Sequence, residues 1–322
     1  MISKRNLIGA VAGVAMLSGA GTAIADGHLD EITVAYFLEW PTPNQFAQAN
    51  GLYEEALGVK VNWVSFDAGT AMSAAMASGD VHISYSQGVT PFLVATAAGQ
   101  DLQVVDVAVS YSDNDNCVVR SDLEITKDNV MELKGSKVAV PLGTAAHSGF
   151  LAQIAYFGMS ESDFNIVDMS PSDSAAAFGQ PSTDLAMVCG WGGSLRTMKQ
   201  HGNPIIEGAE KESVVGKVFD VTSIPTAFGE ENPELLAKFL AMTAKMNAMY
   251  AADPSSMMEG TTAVIGTFVF PDTATQLSAE WMGGGVAEIL ANSAAGLGDK
   301  ITPLADYSAV VNSSYLEAAS NM

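Results

Sequence analysis

Residues 137–156 read KVAVPLGTAAHSGFLAQIAY, and this stretch indicates the architecture of the chain. The apolar run Lys137–Pro141 has the composition of a buried β-strand, and the small residues of Leu142–Ala145 are typical of a turn. The pattern from Ala145 to Tyr156 is helical. The stretch therefore predicts a strand, a turn and a helix in direct succession.

The same order recurs elsewhere in the chain. The turn Ala68–Ala71 repeats the Gly-Thr-Ala sequence of residues 143–145, and helical patterns are expected over Phe46–Leu57, over Met72–Met76 and after Pro91. The predicted strands, all short apolar or β-branched runs, are Ile32–Phe37, Val61–Phe66, Val81–Ser86, Gln103–Ser110, Cys117–Arg120, Lys137–Pro141, Phe164–Met169, Leu185–Cys189 and Val218–Ile224. Strands that alternate with helices predict an α/β fold with a mainly parallel sheet, and the repeated turn indicates two similar lobes.

After about residue 230 the pattern changes to long helices. Asn232 and Pro233 are typical of a helix start, with Asn as the cap and Pro at the first helical position. Asp253-Pro254 would end this helix. Further helices are expected at Thr273–Met282 and Val286–Ala294, so the last third of the chain is predicted to be mostly helical.

Composition excludes several classes of protein. The 322 residues include 14 Lys and Arg against 36 Asp and Glu, for a formal net charge of −22. Proteins that bind nucleic acids use Lys and Arg to neutralise phosphates, so we expect no nucleic-acid partner. An apolar content of 48% is enough for a large packed core and excludes a disordered chain, and the length is consistent with about two domains.

The N-terminus has the features of a secretory signal peptide. Residues 1–25 begin with the basic pair Lys4 and Arg5, continue with the apolar run Leu7–Leu17 and end in Ala23-Ile24-Ala25. Small side chains three residues and one residue before the cut suit signal peptidase. A membrane anchor is the alternative, but Gly, Ala, Ser and Thr dilute the apolar run. We expect an exported, periplasmic protein with a formal charge of −24, from 36 acidic against 12 basic residues.

The chain contains two cysteines, Cys117 and Cys189, both in strand-like runs. In an oxidising compartment a disulfide is favoured, and two separate buried thiols are the alternative. The four histidines are scattered and no His or Cys pair has the spacing of metal ligands. We therefore expect no metal and no cofactor.

Three turns lie where a strand ends and a helix begins, and they are Asp67–Thr70, Gln87–Pro91 and Gly143–His147. Each would leave free backbone N–H groups at a helix N-terminus, with a hydroxyl beside them, and this arrangement suits an anion. In open α/β sheets ligands bind beyond the carboxyl ends of the strands, where these turns fall. Ordinary helix capping is the alternative for each turn taken singly. No nucleophile motif, phosphate loop or zinc-protease motif is present, so we expect no enzyme activity.

Four motifs stand in the order found in a known family. They are Phe66–Gly69 (FDAG), Met76–Ile83 (MASGDVHI), Leu133–Pro141 (LKGSKVAVP) and Thr144–His147 (TAAH). The chain resembles the taurine/alkanesulfonate substrate-binding proteins of ABC importers, from about residue 32 to Tyr315. Within this group it is most similar to the taurine-binding proteins.

The resemblance implies a type II periplasmic binding protein, in which two α/β lobes joined by two hinge strands trap a ligand between them. We expect lobe one at residues 26–109 plus 221–322, with the helical C-terminal segment packed on it, and lobe two at 110–220. Cys117 and Cys189 would then both lie in lobe two, consistent with their bonding.

The resemblance also implies a ligand site in the cleft between the lobes. Asp220 matches the position whose carboxylate receives the taurine ammonium, and Glu39, Trp40 and Trp191 are further candidates, with a loop acid and a core aromatic as the alternatives for Glu39 and Trp191. The residues expected around the sulfonate are Gly69, Thr70, Gln87, Gly88, Val89, Thr90, Thr144, Ala145, Ala146 and His147.

The implied function is to bind taurine in the periplasm and to deliver it, after hinge closure, to an ABC permease in the inner membrane. We expect a monomer. Another ligand of the same class, such as an alkanesulfonate, nitrate or a pyrimidine precursor, is an alternative. A third hypothesis is an exported enzyme, because related two-lobed folds include enzymes and fold alone does not settle function.

Overall fold

The computed structural model describes residues 29–37, 41–112, 114–257 and 268–322. The signal peptide predicted at residues 1–25 lies outside these ranges. No helix within them is both long enough and apolar enough to cross a membrane.

The strands of the described residues follow the apolar runs of the sequence. In chain order they are β1 (Glu31–Tyr36), β2 (Lys60–Ser65), β3 (Ile83–Gly88), β4 (Leu102–Tyr111), β5 (Asp115–Arg120), β6 (Lys137–Val140), β7 (Asn165–Asp168), β8 (Leu185–Trp191), β9 (Gly202–Asn203), β10 (Val218–Pro225) and β11 (Phe268–Val269). All nine predicted strands are confirmed. The strands β9 and β11 were not predicted, because two residues cannot show a periodicity.

The described helices are α1 (Asn44–Ala49), α2 (Leu52–Leu57), α3 (Gly69–Ser78), α4 (Val89–Ala97), α5 (Ala145–Tyr156), α6 (Pro171–Phe178), α7 (Gly192–Met198), α8 (Gly208–Val215), α9 (Thr226–Glu231), α10 (Pro233–Ala252), α11 (Thr273–Gln276), α12 (Gly285–Gly296) and α13 (Ser314–Ser320).

Three helix predictions need correction. The helix expected over Phe46–Leu57 is two helices, because the chain turns at Gly51, which adopts a φ of 67°. The helix expected over Thr273–Met282 ends at Gln276. Asn232 does precede α10, but its side-chain amide donates to the carbonyl oxygen of Phe228 (3.0 Å) instead of capping the helix.

The strands form two separate sheets. The first has six strands in the order β11-β4-β10-β3-β1-β2, and the second has five in the order β7-β6-β8-β5-β9. The chain passes from the first sheet to the second between β4 and β5, and it returns between β9 and β10. The strand β4 precedes the first crossing and β10 follows the second. These two strands of the first sheet are therefore the hinge strands.

The expectation of mainly parallel sheets is wrong, because both sheets are mixed. In the first sheet β1 is parallel to β2 and β3, but β10 is antiparallel to both β3 and β4. In the second sheet β6 is parallel to β7 and β8, but β5 is antiparallel to β8. Each sheet contains antiparallel strands because the chain crosses between the lobes. The strand β5 enters the second sheet from the first lobe, and β10 returns to the first sheet from the second lobe.

The hydrophobic core of the first sheet includes the C-terminal helices. Leu236, Phe239, Leu240 and Met246 of α10 are buried there, as the helical spacing of the sequence predicts. Leu316 of α13 belongs to the same core. The prediction that the helical C-terminal segment packs on the first lobe is therefore confirmed.

The second sheet contains the disulfide. Cys117 of β5 and Cys189 of β8 face each other in the antiparallel register and are bonded to each other. The bond joins two strands whose ends, Asp115 and Trp191, lie on the cleft described below. It therefore anchors the part of the second lobe that lines the cleft.

Candidate ligand-binding cleft

A cleft lies between the two sheets and is lined from both sides. The first lobe and its hinge strands contribute Phe37, Gly69, Gly88, Pro91, Tyr111 and Asp220. The second lobe contributes Asp115, Thr144, Ala145 and Trp191. A ligand held here would contact both lobes at once.

Direct contacts between the lobes show that the cleft is closed. The hydroxyl oxygens of Thr90 in α4 and Ser148 in α5 are 2.9 Å apart. Lys300, beside α12, forms an ion pair with Glu161 of the second lobe. Partial burial opposes ionisation of Glu161, but hydrogen bonds from Lys300 and His147 outweigh it and lower the pKa of this carboxyl.

Asp220 is the most unusual ionisable group of the cleft. Its side chain is 4% exposed, and its two carboxylate oxygens accept hydrogen bonds from the hydroxyls of Ser86 (2.8 Å) and Tyr111 (3.2 Å). Burial raises the pKa of Asp220 to about 7, against the effect of these two hydrogen bonds, and the nearby charge of Asp115 raises it further. No ion pair to Asp220 occurs within the described residues. Among the residues that the structure describes, this carboxylate therefore has no cationic partner.

Ser86 holds Asp220 in place at the cost of backbone strain. Its φ is 61°, in the left-handed region that non-glycine residues rarely adopt, although it lies within β3. This backbone conformation accompanies a hydrogen bond from Ser86 Oγ to Asp220 Oδ2. Strain of this kind clusters at functional sites, where the surrounding structure maintains it.

The three helices that follow the predicted turns begin at the cleft, and none of these three has a side-chain cap. They are α3, α4 and α5, and each lacks both a capping hydrogen bond and an acidic residue in its first turn. The first N–H groups of a helix have no partner within it and carry a partial positive charge. Since α3 and α4 belong to one lobe and α5 to the other, the three N-termini can bind an anion between the lobes.

Two glycines bring the walls of the cleft close together. A Cβ at Gly69 would lie 2.8 Å from Pro91 Cγ, so only glycine fits where α3 meets α4. A Cβ at Gly88 would lie 3.7 Å from Asp220 Oδ1 and 3.9 Å from Ala145 Cβ. Gly88 therefore marks the place where the carboxylate and the start of α5 approach each other.

A second carboxylate lies on the opposite lobe. Asp115 begins β5, is 2% exposed, and its Oδ1 accepts a hydrogen bond from Lys211 Nζ at 2.7 Å. Both side chains of this pair are 3% exposed, so it is a buried ion pair from which neither partner can be removed without leaving an unpaired charge. Lys211 comes from α8, which precedes the hinge strand β10.

Six of the predicted site residues line the cleft, and six do not. The six that line it are Gly69, Gly88, Thr144, Ala145, Trp191 and Asp220. The six that do not are Thr70, Gln87, Val89, Thr90, Ala146 and His147. Glu39 and Trp40, also predicted, lie outside the described residues.

Two of the polar side chains away from the cleft, those of Gln87 and His147, are already engaged. Gln87 donates to the carbonyl oxygen of Gly69 and to Ser73 Oγ, and accepts from Ser223 Oγ. The Nδ1 of His147 accepts from the backbone N–H of Gly143, and its Nε2 lies 3.0 Å from Glu161.

Two of the three threonines expected around the anion, Thr90 and Thr144, also have partners inside the protein. Thr90 contacts Ser148, and Thr144 donates to the carbonyl oxygen of Pro141 (2.6 Å). Backbone N–H groups, rather than these hydroxyls, are therefore the donors open to a ligand.

Sequence reasoning did not find four polar residues of the site, which are Ser86, Tyr111, Asp115 and Lys211. Their partners are far along the chain, with separations of 134 residues for Ser86–Asp220, 109 for Tyr111–Asp220 and 96 for Lys211–Asp115. No local pattern links residues so far apart. Across the described ranges, no three His, Cys, Asp or Glu side chains gather as a metal site.

The fold and its interlobe cleft are those of a type II periplasmic binding protein. The periplasmic aliphatic sulphonate binding protein SsuA of Escherichia coli has a similar structure, with a TM-score of 0.67 at 19% identity over 88% of this chain and 92% of that one. The NMT1/THI5-like family model matches residues 42–257, and the chain belongs to this family.

Two curated relatives share more of the sequence. The taurine-binding periplasmic protein of Escherichia coli (strain K12) is 26% identical over 79% of this chain and 74% of its own length. A protein of Bacillus subtilis (strain 168) proposed to bind aliphatic sulfonates is 29% identical over 74% of this chain and 71% of its own length. The resemblance read from the four sequence motifs is confirmed at the level of the family.

Proposed function

We propose that this protein is the periplasmic solute-binding component of an ABC importer and that its ligand is a small aminosulfonate such as taurine. The observation that carries the proposal is the buried carboxylate of Asp220, which has no cationic partner among the described residues and lines the same cleft as three uncapped helix N-termini. A zwitterion supplies both missing charges, because its ammonium pairs with the carboxylate and its sulfonate accepts hydrogen bonds from the N–H groups. The taurine-binding relative supports this assignment.

Delivery of the ligand to the importer depends on closure of the two lobes around it. We propose that lobe one comprises residues 26–109 and 221–322 and lobe two residues 110–220. The hinge strands span these boundaries, because β4 continues to Tyr111 and β10 begins at Val218. The monomeric protein closes around its ligand, and an inner-membrane permease recognises the closed form. The signal peptide predicted from residues 1–25 and the periplasmic relatives support a periplasmic location.

The apolar lining favours one alternative ligand class. Phe37, Pro91 and Trp191 give the cleft a largely hydrocarbon wall, and the Bacillus subtilis relative is proposed to bind aliphatic sulfonates. An alkanesulfonate would fill the anion site but leave Asp220 without a cation. The two ligand classes therefore differ in whether they use Asp220.

Calorimetric titration of the ligand-stripped mature protein tests the proposal. Taurine is expected to bind more tightly than ethanesulfonate, which has the same sulfonate and no amine. In Asp220→Asn, taurine is expected to bind about 10-fold more weakly or worse, since a charge-assisted hydrogen bond contributes about 1.5–3 kcal/mol. Ligand recovered unchanged after incubation supports a binding protein, whereas turnover supports the enzyme hypothesis. Equal affinity for both ligands would contradict the ammonium site.

A further inference from the structure

The charges of the cleft do not balance. Its lining within the described residues contains two carboxylates, Asp220 and Asp115, and no lysine or arginine. Lys211, which lies behind the lining, compensates Asp115. Together the three buried groups carry a formal charge of −1, in a surrounding that is mostly apolar. When Asp220 is ionised, a positively charged group of a ligand would balance this charge, and both carboxylates line the cleft in which it would lie.

The two carboxylates lie close enough to influence each other. The pKa of Tyr111, which lines the cleft with them, is raised first by burial and then by the charges of Asp220 and Asp115. Since Asp220 belongs to the first sheet and Asp115 to the second, their repulsion acts between the lobes. Without a cation, this repulsion opposes closure.

Asp115 is also positioned so that one of its carboxylate oxygens could contact a ligand. Lys211 binds its Oδ1, and Oδ2 lies beside Gly149, where a Cβ would be 3.7 Å away. Asp115 is paired in the β-register with Trp191, which also lines the cleft. Lys211 thus fixes the orientation of Asp115 without occupying both of its oxygens.

We propose that Asp115 is the second carboxylate that recognises the ligand's amine, so that one ammonium group joins Asp220 of the first sheet to Asp115 of the second sheet. This inference rests on the proposed function and deepens it. A primary ammonium has three N–H donors and serves both carboxylates, whereas a trimethylammonium has none. The ligand class is then primary aminosulfonates, and the amine promotes closure as well as affinity.

The test compares matched variants. In Asp115→Asn/Lys211→Met the formal charge of the cleft stays at −1, because an acid and a base are removed together. Asp184→Asn/Lys137→Met removes one exposed ion pair of the same lobe and serves as the control. Dissociation constants for taurine and ethanesulfonate are measured by calorimetry on all three proteins, and folding is checked by thermal unfolding.

The double variant at the cleft is expected to bind taurine about 10-fold more weakly or worse, because it loses one charge-assisted hydrogen bond. Its affinity for ethanesulfonate should change less than about threefold, since this ligand has no group for Asp115. The control variant should bind both ligands as the wild type does. The selectivity for taurine over ethanesulfonate is a ratio within one protein, so a partly unfolded sample does not mimic the result.

A second measurement uses the wild type alone and does not depend on whether a variant folds. Taurine and N,N,N-trimethyltaurine are compared, and the methylated ligand is expected to bind at least about 10-fold more weakly. If the folded cleft variant binds taurine like the wild type, or if methylation has no effect, the role of Asp115 is overturned and the proposed function stands. If the wild type does not bind taurine, both are overturned.

Discussion

Replacing Asp220 by Asn should stabilise the empty protein and weaken its ligand binding in the same variant. The carboxyl is 4% exposed and its pKa is raised to about 7 by burial, from an ordinary value near 3.8. A shift of about three units corresponds to about 4 kcal/mol at most, at about 1.36 kcal/mol per unit. Asn keeps the shape of the side chain and can still exchange hydrogen bonds with Ser86 and Tyr111, so the variant removes the charge and little else.

The sign of the effect follows from the direction of the shift. Because the folded pKa lies above the unfolded one, the unfolded chain loses this proton first as the pH rises. The contribution of Asp220 to stability is fully present below about pH 4 and is lost progressively up to about pH 7. The stability gained in Asp220→Asn should therefore be near zero at pH 4, increase to about pH 7, and stay constant above it.

Urea unfolding of the ligand-free wild type and variant at several pH values measures this difference. Taurine affinity is measured over the same range, and in the wild type it should fall by up to about tenfold per pH unit below pH 7, because a proton competes with the ammonium for Asp220. The variant should show a weak affinity that is nearly independent of pH. A stability difference that does not change with pH, or a variant less stable than the wild type at pH 8, would refute the reasoning.

Two further predictions concern the supports of the cleft. Ser86→Ala should be less stable than Ser86→Gly by about 1 kcal/mol, because alanine keeps the strain of the positive φ and glycine does not. Both variants lose the hydroxyl that lowers the pKa of Asp220, so the pH of half-maximal taurine affinity should rise in both; identical unfolding curves would argue against strain. Cys117→Ser/Cys189→Ser should lose about 4 kcal/mol of unfolding free energy, from the entropy of a loop with a sequence separation of 72. A loss under about 1 kcal/mol in urea would contradict that account.

Strands could be predicted from the sequence because burial on both faces gives a strand a continuous apolar run. In β4, for example, Val104, Val105, Val107 and Ala108 are all fully buried. The direction of each strand could not be predicted in this way, since side-chain composition is the same for a parallel and an antiparallel neighbour. The expectation of mainly parallel sheets failed at β10 and β5 for this reason.

The parts of the candidate site that lie in local turns could be predicted from the sequence. The parts formed by residues far apart in the sequence could not. Gly69, Gly88 and Ala145 could be predicted because a strand that ends in a small-residue turn exposes a helix N-terminus. The sequence gives no sign that Tyr111 and Ser86 would meet Asp220. It also cannot show that a polar side chain in the right turn is already engaged, and Gln87 is such a case, with three hydrogen bonds inside the first lobe.

The features that destabilise the closed cleft when it is empty also make closure depend on the ligand. An unpaired buried carboxylate, a strained Ser86 and three uncapped helices each destabilise the closed, empty protein. A ligand shifts a conformational equilibrium only by its difference in affinity for the two states. In the open form water solvates Asp220 and the helix N-termini, whereas in the closed form only the ligand can replace that water. A zwitterion thus gains most of its binding energy on closure. The closed state that a permease would recognise is therefore populated mainly when the ligand is bound.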